Sequence, residues 1–171
     1  MIEKVRIRNF KAIQEVEIRF EEINTFIGNN GSGKSSVIEA LQTLQSILNF
    51  GLTEGINKRW TGLEYIRNFY APSTDSDILI EISGKFNEKK YIYSLSFNKL
   101  ETNGLYVVKG EKLEIDSKRL FEIFDVNAEG KGKQFNAAVA GLEDPLIEII
   151  TSMKDQLKQI VCDIPDLFLT I

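Results

Sequence analysis

A chain of 171 residues with 43% hydrophobic and 27% charged side chains has the make-up of a globular domain, with length for one sizeable core and at most a small appendage. It contains no histidine and one cysteine, Cys162, which excludes a histidine-based triad or zinc site and an internal disulfide framework within the chain. The net charge of −4 offers no general attraction for nucleic acid, so any DNA contact needs a local basic patch or another part of a larger assembly. No apolar run approaches the ~20 residues of a membrane span. Met1-Ile2-Glu3-Lys4 leads straight into a charged, alternating segment without a signal-peptide pattern, and with the lone cysteine this makes a reducing cytoplasm the expected compartment.

Val5 and Ile7 alternate with Lys4, Arg6 and Arg8, and Val16, Ile18 and Phe20 alternate with Glu15, Glu17 and Arg19. Both stretches read as half-buried strands, joined by the tight connection Asn9-Phe10-Lys11-Ala12-Ile13 with a cation at its tip. Ile23-Asn24-Thr25-Phe26-Ile27 is a short apolar run of the kind a buried strand needs. Next comes Gly28-Asn29-Asn30-Gly31-Ser32-Gly33-Lys34-Ser35, which fits the phosphate-binding pattern G-x-x-x-x-G-K-[ST] without a mismatch. Val37, Ile38, Leu41, Leu44, Ile47 and Leu48 then recur at helical spacing.

Strand, glycine loop and helix together point to a nucleoside triphosphate site. Glycines let the backbone approach a ligand closely, the loop N–H groups and the helix N-terminus attract phosphate, and Lys34 adds a mobile charge for the β- and γ-phosphates. Lys34 is the candidate catalytic residue, and Ser35 supplies a hydroxyl for Mg²⁺. Asn30, Gly31, Ser32, Gly33 and Ser36 are the further candidate cofactor contacts.

Ile7-Arg8-Asn9-Phe10-Lys11, Ile23-Asn24 and Gly28 to Ser36 together resemble the N-terminal lobe of ABC-type ATPases. The closest resemblance is to heads of the Rad50, SMC and RecF kind and to bacterial AAA-domain ATPases grouped with overcoming-lysogenization-defect nucleases and anti-phage systems. The resemblance is strong over residues 1 to about 50. It implies ATP rather than GTP, places Lys11 beside the phosphates with Asn30 to Ser36, and implies an ATP-dependent homodimer of heads with a possible DNA or nuclease partner.

Residues 51–77 read as a loop-rich excursion with a short helix around Leu63 to Phe69. Trp60, Tyr65, Phe69 and Tyr70 have faces that stack on a base, although anchoring the excursion to the core is the favoured role. Alternation at Ile78, Ile80 and Ile82 and at Tyr91, Tyr93, Leu95 and Phe97 predicts a hairpin. Leu105 to Val108 and Lys112 to Ile115, about a Lys109-Gly110-Glu111 turn, predict a second, shorter one. Lys85, Lys89, Lys90, Lys99, Lys109 and Lys112 read as edge-protecting lysines rather than a basic binding face. Ser117 to Phe124 reads as a short helix and Asn127 to Asn136 as a mobile loop. A last helix starts at Asp144-Pro145 and carries an apolar stripe from Leu146 through Ile149, Ile150, Met153, Leu157 and Ile160 to Val161.

Hydrolysis needs more than phosphate binding. The resembled family adds an apolar strand ending in Asp-Glu, a signature segment, a Q-loop glutamine and a switch histidine. Asp163, after Ile160-Val161-Cys162, is the best acidic candidate, but its run is short and helical in period, and Ile164 follows it. Gln42 and Gln45 lie on the helix after the glycine loop and Gln134 in the polar loop, so none is assigned to the Q-loop. The expectation is therefore a single α/β P-loop domain over 1–171, with a mixed sheet and an added antiparallel section. It binds MgATP as an N-terminal lobe whose catalytic half lies beyond Ile171. The competing reading is a stand-alone, non-catalytic, nucleotide-responsive module that docks a partner through the Leu146 to Val161 stripe. A small-molecule kinase shares the glycine loop, but the Asn9-Phe10-Lys11 turn argues against it.

Overall fold

The computed structural model describes residues 1–72, 76–86, 88–100, 104–126 and 132–135. Strand β1 (Ile2–Phe10) alternates buried Val5 and Ile7 with partly exposed Lys4, Arg6 and Arg8, and it pairs on one side with β2 (Ile13–Arg19). On its other side it takes β3 (Ile78–Phe86), followed by β4 (Lys89–Lys99), β5 (Tyr106–Ile115), β6 (Lys118–Val126) and β7 (Gly132–Phe135). The order is β2-β1-β3-β4-β5-β6-β7, and every pairing is antiparallel.

The period-two pattern sends Val5, Ile7, Ile78, Ile80, Ile82, Tyr93, Leu95 and Phe97 to one face, where all are buried. Helix α1 (Lys34–Phe50) meets that core with Val37, Ala40, Leu41, Leu44 and Ile47, its amphipathic stripe. The opposite face is polar. Lys4 pairs with Glu17 across β1 and β2 at 3.0 Å, and Arg6 bonds Glu15, which holds that carboxyl below its usual range. Inside the core, the Tyr93 hydroxyl donates to Glu111 at 2.8 Å. Burial, and then the Glu111 charge, pushes the Tyr93 phenol well above its ordinary value, so it remains a donor.

Several expectations need correction. The sheet among the described residues is antiparallel throughout, not mixed. Ile23–Ile27, expected as a buried strand, is in no strand, and Ile23 and Ile27 are 87% and 91% exposed. Only Phe26, half-buried against the core, anchors it. An apolar run forms a strand when a neighbour offers a free edge, and no described strand lies alongside this one.

Residues 109–111 are mid-strand rather than a turn, since β5 runs unbroken along β4 and absorbs a register shift opposite Ser96 and Phe97. Ser117 to Phe124 is not a helix: Asp116 and Ser117, at φ 48° and 64°, turn the chain into β6. Two consecutive positive φ values make the hairpin turn that matches strand twist. Strand β7, with Gln134, falls within the expected loop, while the helix from Asp144 and its stripe lie outside the described residues. The lysines of 85–112 stand on interior strands rather than edges, and Lys85, Lys99 and Lys112 pair with Glu3, Glu64 and Glu114.

The excursion also contains more helix than its glycines suggested. Helix α2 (Leu52–Arg59) folds back on α1 directly after Gly51, and a short 3-10 turn spans Leu63–Tyr65. Gly55 makes this possible, because a Cβ there would lie 2.6 Å from the Ile47 Cα and 2.7 Å from its N. Those are backbone atoms that cannot swing aside. Gly55→Ala should therefore destabilise the fold by about 1–3 kcal/mol despite alanine's better helix propensity, and denaturant unfolding checks this. Tyr93→Phe, which strips Glu111 of its buried donor, should cost about 1–3 kcal/mol in the same assay.

Candidate functional site

The glycine loop lies between the 23–27 stretch, which is in no strand, and α1. Gly31 and Gly33 take φ 82° and 92°, a left-handed backbone that carries the chain into the helix and that L side chains rarely adopt. A Cβ on Gly33 would also sit 3.4 Å from Ile13 Cγ1 and 4.0 Å from Ala12 Cβ, so the loop rests on the start of β2.

Helix α1 begins at Lys34 without a side-chain cap and without an acidic residue in its first turn. Its N-terminal amides and dipole are thus left to attract an anion. The Lys34 ammonium folds back over the loop, donating to the Gly28 carbonyl at 2.6 Å and the Asn29 carbonyl at 2.8 Å, with Ser32 Oγ at 3.5 Å. Asn30, Gly31, Ser32 and Ser35 are exposed around it. Ser36 is buried at 7% exposure and belongs to the inner face of α1. Its burial distinguishes it from the exposed Asn30, Gly31, Ser32 and Ser35.

Lys11 occupies the turn between β1 and β2 at φ 48°. Its N–H donates to the Ile66 carbonyl at 2.7 Å, and the Asn68 side-chain amide donates to its carbonyl. Its ammonium reaches Glu39 Oε2 at 2.9 Å and lies 3.9 Å from the Trp60 ring centre. The structure therefore brings Lys11 to the flank of the loop, through Ala12 and Ile13, with its charge directed at α1. Sequence reading missed Glu39, whose only signal was an acidic residue one turn beyond Ser35 on the same helical face.

The aromatics of the excursion divide. Trp60 is partly buried, and its indole N–H donates to Thr43 Oγ1 at 2.7 Å, so it anchors as expected. Tyr65, Phe69 and Tyr70 are 61%, 91% and 77% exposed, contrary to the anchoring role.

The residues fit phosphate: an uncapped helix start, left-handed glycines and one lysine converge there. Among the described residues no cluster of three acidic, cysteine or histidine side chains could hold a metal ion by itself. Gln42 accepts a hydrogen bond from Arg59 on α2, and Asp163 lies outside the described residues. Among the described residues no helix is long and apolar enough to cross a membrane.

Comparison with known proteins agrees with this geometry. The chain matches the AAA ATPase domain family over residues 1–164. It is also similar to proteins named DNA double-strand break repair Rad50 ATPase. The one from Pyrococcus abyssi is 49% identical over 41 residues, 23% of this chain and 5% of the relative. The one from Methanopyrus kandleri is 48% identical over 42 residues, 24% of this chain and 5% of the relative. The matched stretch thus spans about a twentieth of those proteins' length. With the family match covering nearly the whole chain, the glycine loop and its lysine belong to a known framework: this chain is a member of the AAA ATPase domain family.

Proposed function

We propose that this chain binds MgATP at the loop Gly28 to Ser35 and serves as the N-terminal lobe of a Rad50-like ATPase. One observation carries the reading: the uncapped start of α1, entered through left-handed Gly33, with the Lys34 ammonium resting on the Gly28 and Asn29 carbonyls. Neutral carbonyl oxygens are weaker partners for an ammonium than phosphate oxygens. Lys34 exchanges them for the β- and γ-phosphates when nucleotide enters, without refolding the loop.

In this reading Lys34 is the catalytic cation, and Ser35 supplies the protein's hydroxyl to magnesium, which bridges the phosphates and offsets their charge. Asn30, Gly31, Ser32 and Gly33 line the loop, and Ser36 supports it from the core side. Lys11 contributes a second cation from the β1–β2 turn. A complete hydrolytic site needs an acidic strand end and a signature segment from the other half of the ATPase. The exposed Ile23–Ile27 stretch supports this, since Ile23 and Ile27 present an apolar edge that a further strand would cover. Two such heads closing on ATP, with a DNA or nuclease partner in the assembly, complete the proposal, in keeping with the repair role in the names of the Rad50 relatives. The cytoplasm is the compartment that suits it.

Calorimetric titration of the chain with MgATP, with phosphate release assayed in the same samples, tests the proposal. It predicts saturable binding without steady-state release. Lys34→Ala should weaken binding roughly a hundredfold, the effect of losing about 3 kcal/mol of charge-assisted contact, with unfolding stability unchanged. Absence of binding by the wild-type chain would contradict the reading, and Lys34-dependent release would show that the site is already complete.

A further inference from the structure

Three observations converge on Lys11. Its backbone is held on both sides, by Ile66 and by Asn68, so only its four-carbon stem is free to move. Its ammonium has a formed seat, bonded to Glu39 at 2.9 Å and placed 3.9 Å from the centre of the Trp60 ring. That seat is itself fixed, because the indole N–H is tied to Thr43, whose hydroxyl donates to the Glu39 carbonyl at 2.7 Å.

The seat lies next to the phosphate loop but not in it. Glu39 follows Ser35 by four residues, which puts the two side chains on one helical face about 5–6 Å apart. The Lys11 turn also adjoins the loop, since the next two residues, Ala12 and Ile13, lie against Gly33. The Lys11 and Glu39 side chains remain 25% and 27% exposed, so an incoming anion can compete for the cation.

We propose that Lys11 has two alternative seats: the Glu39–Trp60 pocket in the empty site and the terminal phosphates in the filled one. Glu39 is then a competitor for Lys11 and a restraint on nucleotide affinity, and Trp60 senses which seat is taken. This inference rests on the nucleotide-binding reading above. It adds that binding ATP empties a pocket on the far side of the loop's flank, freeing the Glu39 carboxylate and one indole face. The γ-phosphate offers the most negative charge, so MgATP should draw Lys11 across more fully than MgADP does.

Trp60 is the only tryptophan in the chain, so tryptophan emission comes from this pocket, where the Arg59 guanidinium also lies 5.2 Å from the ring centre. Emission of the full chain is followed during titration with MgATP and with MgADP, and binding heat is measured on the same samples. The expected result is an emission change that saturates with the heat and is larger for ATP. Lys11→Met should bind more weakly, roughly tenfold, and show no such change. Glu39→Gln, which removes the competitor, should bind MgATP roughly two- to fivefold more tightly, the range expected from a partly exposed ion pair. Circular dichroism verifies that both variants are folded. Binding heat with unaltered Trp60 emission would overturn the two-seat proposal while leaving the nucleotide site intact, and so would weaker binding by Glu39→Gln. Absence of heat in the wild type would instead remove the site on which the proposal rests.

Discussion

Asn9 and Lys11 both hold left-handed backbone, which costs a non-glycine residue roughly 1–2 kcal/mol. The surrounding contacts offset that cost. Asn9 donates its side-chain amide to the Asp77 carbonyl at 3.0 Å and its carbonyl accepts from the Asn68 N–H at 2.9 Å, while Lys11 is held by Ile66 and Asn68. Phe10, between them, is fully buried and bridges to Arg67. The turn thus fastens β1 and β2 to the excursion after α2 and sets Ala12 and Ile13 against Gly33. The glycine loop is supported from below by this joint, and its other flank is the 23–27 stretch, which is in no strand.

Much of the rest follows from the close approach of α2 to α1. Gly55 lets the second helix lie directly on the backbone of the first, and that contact delivers Arg59 and Trp60 to the side of Glu39 and Thr43. A glycine that penalises the helix locally is what closes the Lys11 pocket in space. The sheet contributes rigidity rather than chemistry: its inner face packs on α1, and its outer face is a lattice of cross-strand ion pairs worth little individually.

The loop and α1 were legible in the sequence because their determinants are local: a contiguous motif, then an apolar stripe at helical period. The β1–β2 pair and the β3–β4 hairpin were legible for the same reason, by strict alternation. The errors have a common origin in what lies outside the segment. Ile23–Ile27 has strand composition, but a strand needs a neighbour. Residues 109–111 contain a glycine yet continue β5 along β4 through a register shift, which sequence alone does not show. The turn at Asp116-Ser117 lacks glycine, so nothing local separates β6 from a helix continuing the segment. The Glu39–Lys11–Trp60 pocket joins three separate parts of the chain, and no local pattern announces it.

The central claim is that the loop and the start of α1 are where nucleotide enters, on a scaffold that is already formed. Amide hydrogen exchange with and without MgATP tests it most directly, because the phosphates would occupy the N–H groups from Gly31 to Ser36. Slowed exchange confined to that stretch and the adjoining Lys11 turn is the predicted result. Unchanged exchange there, or protection centred instead on the exposed aromatics Tyr65, Phe69 and Tyr70, would contradict it.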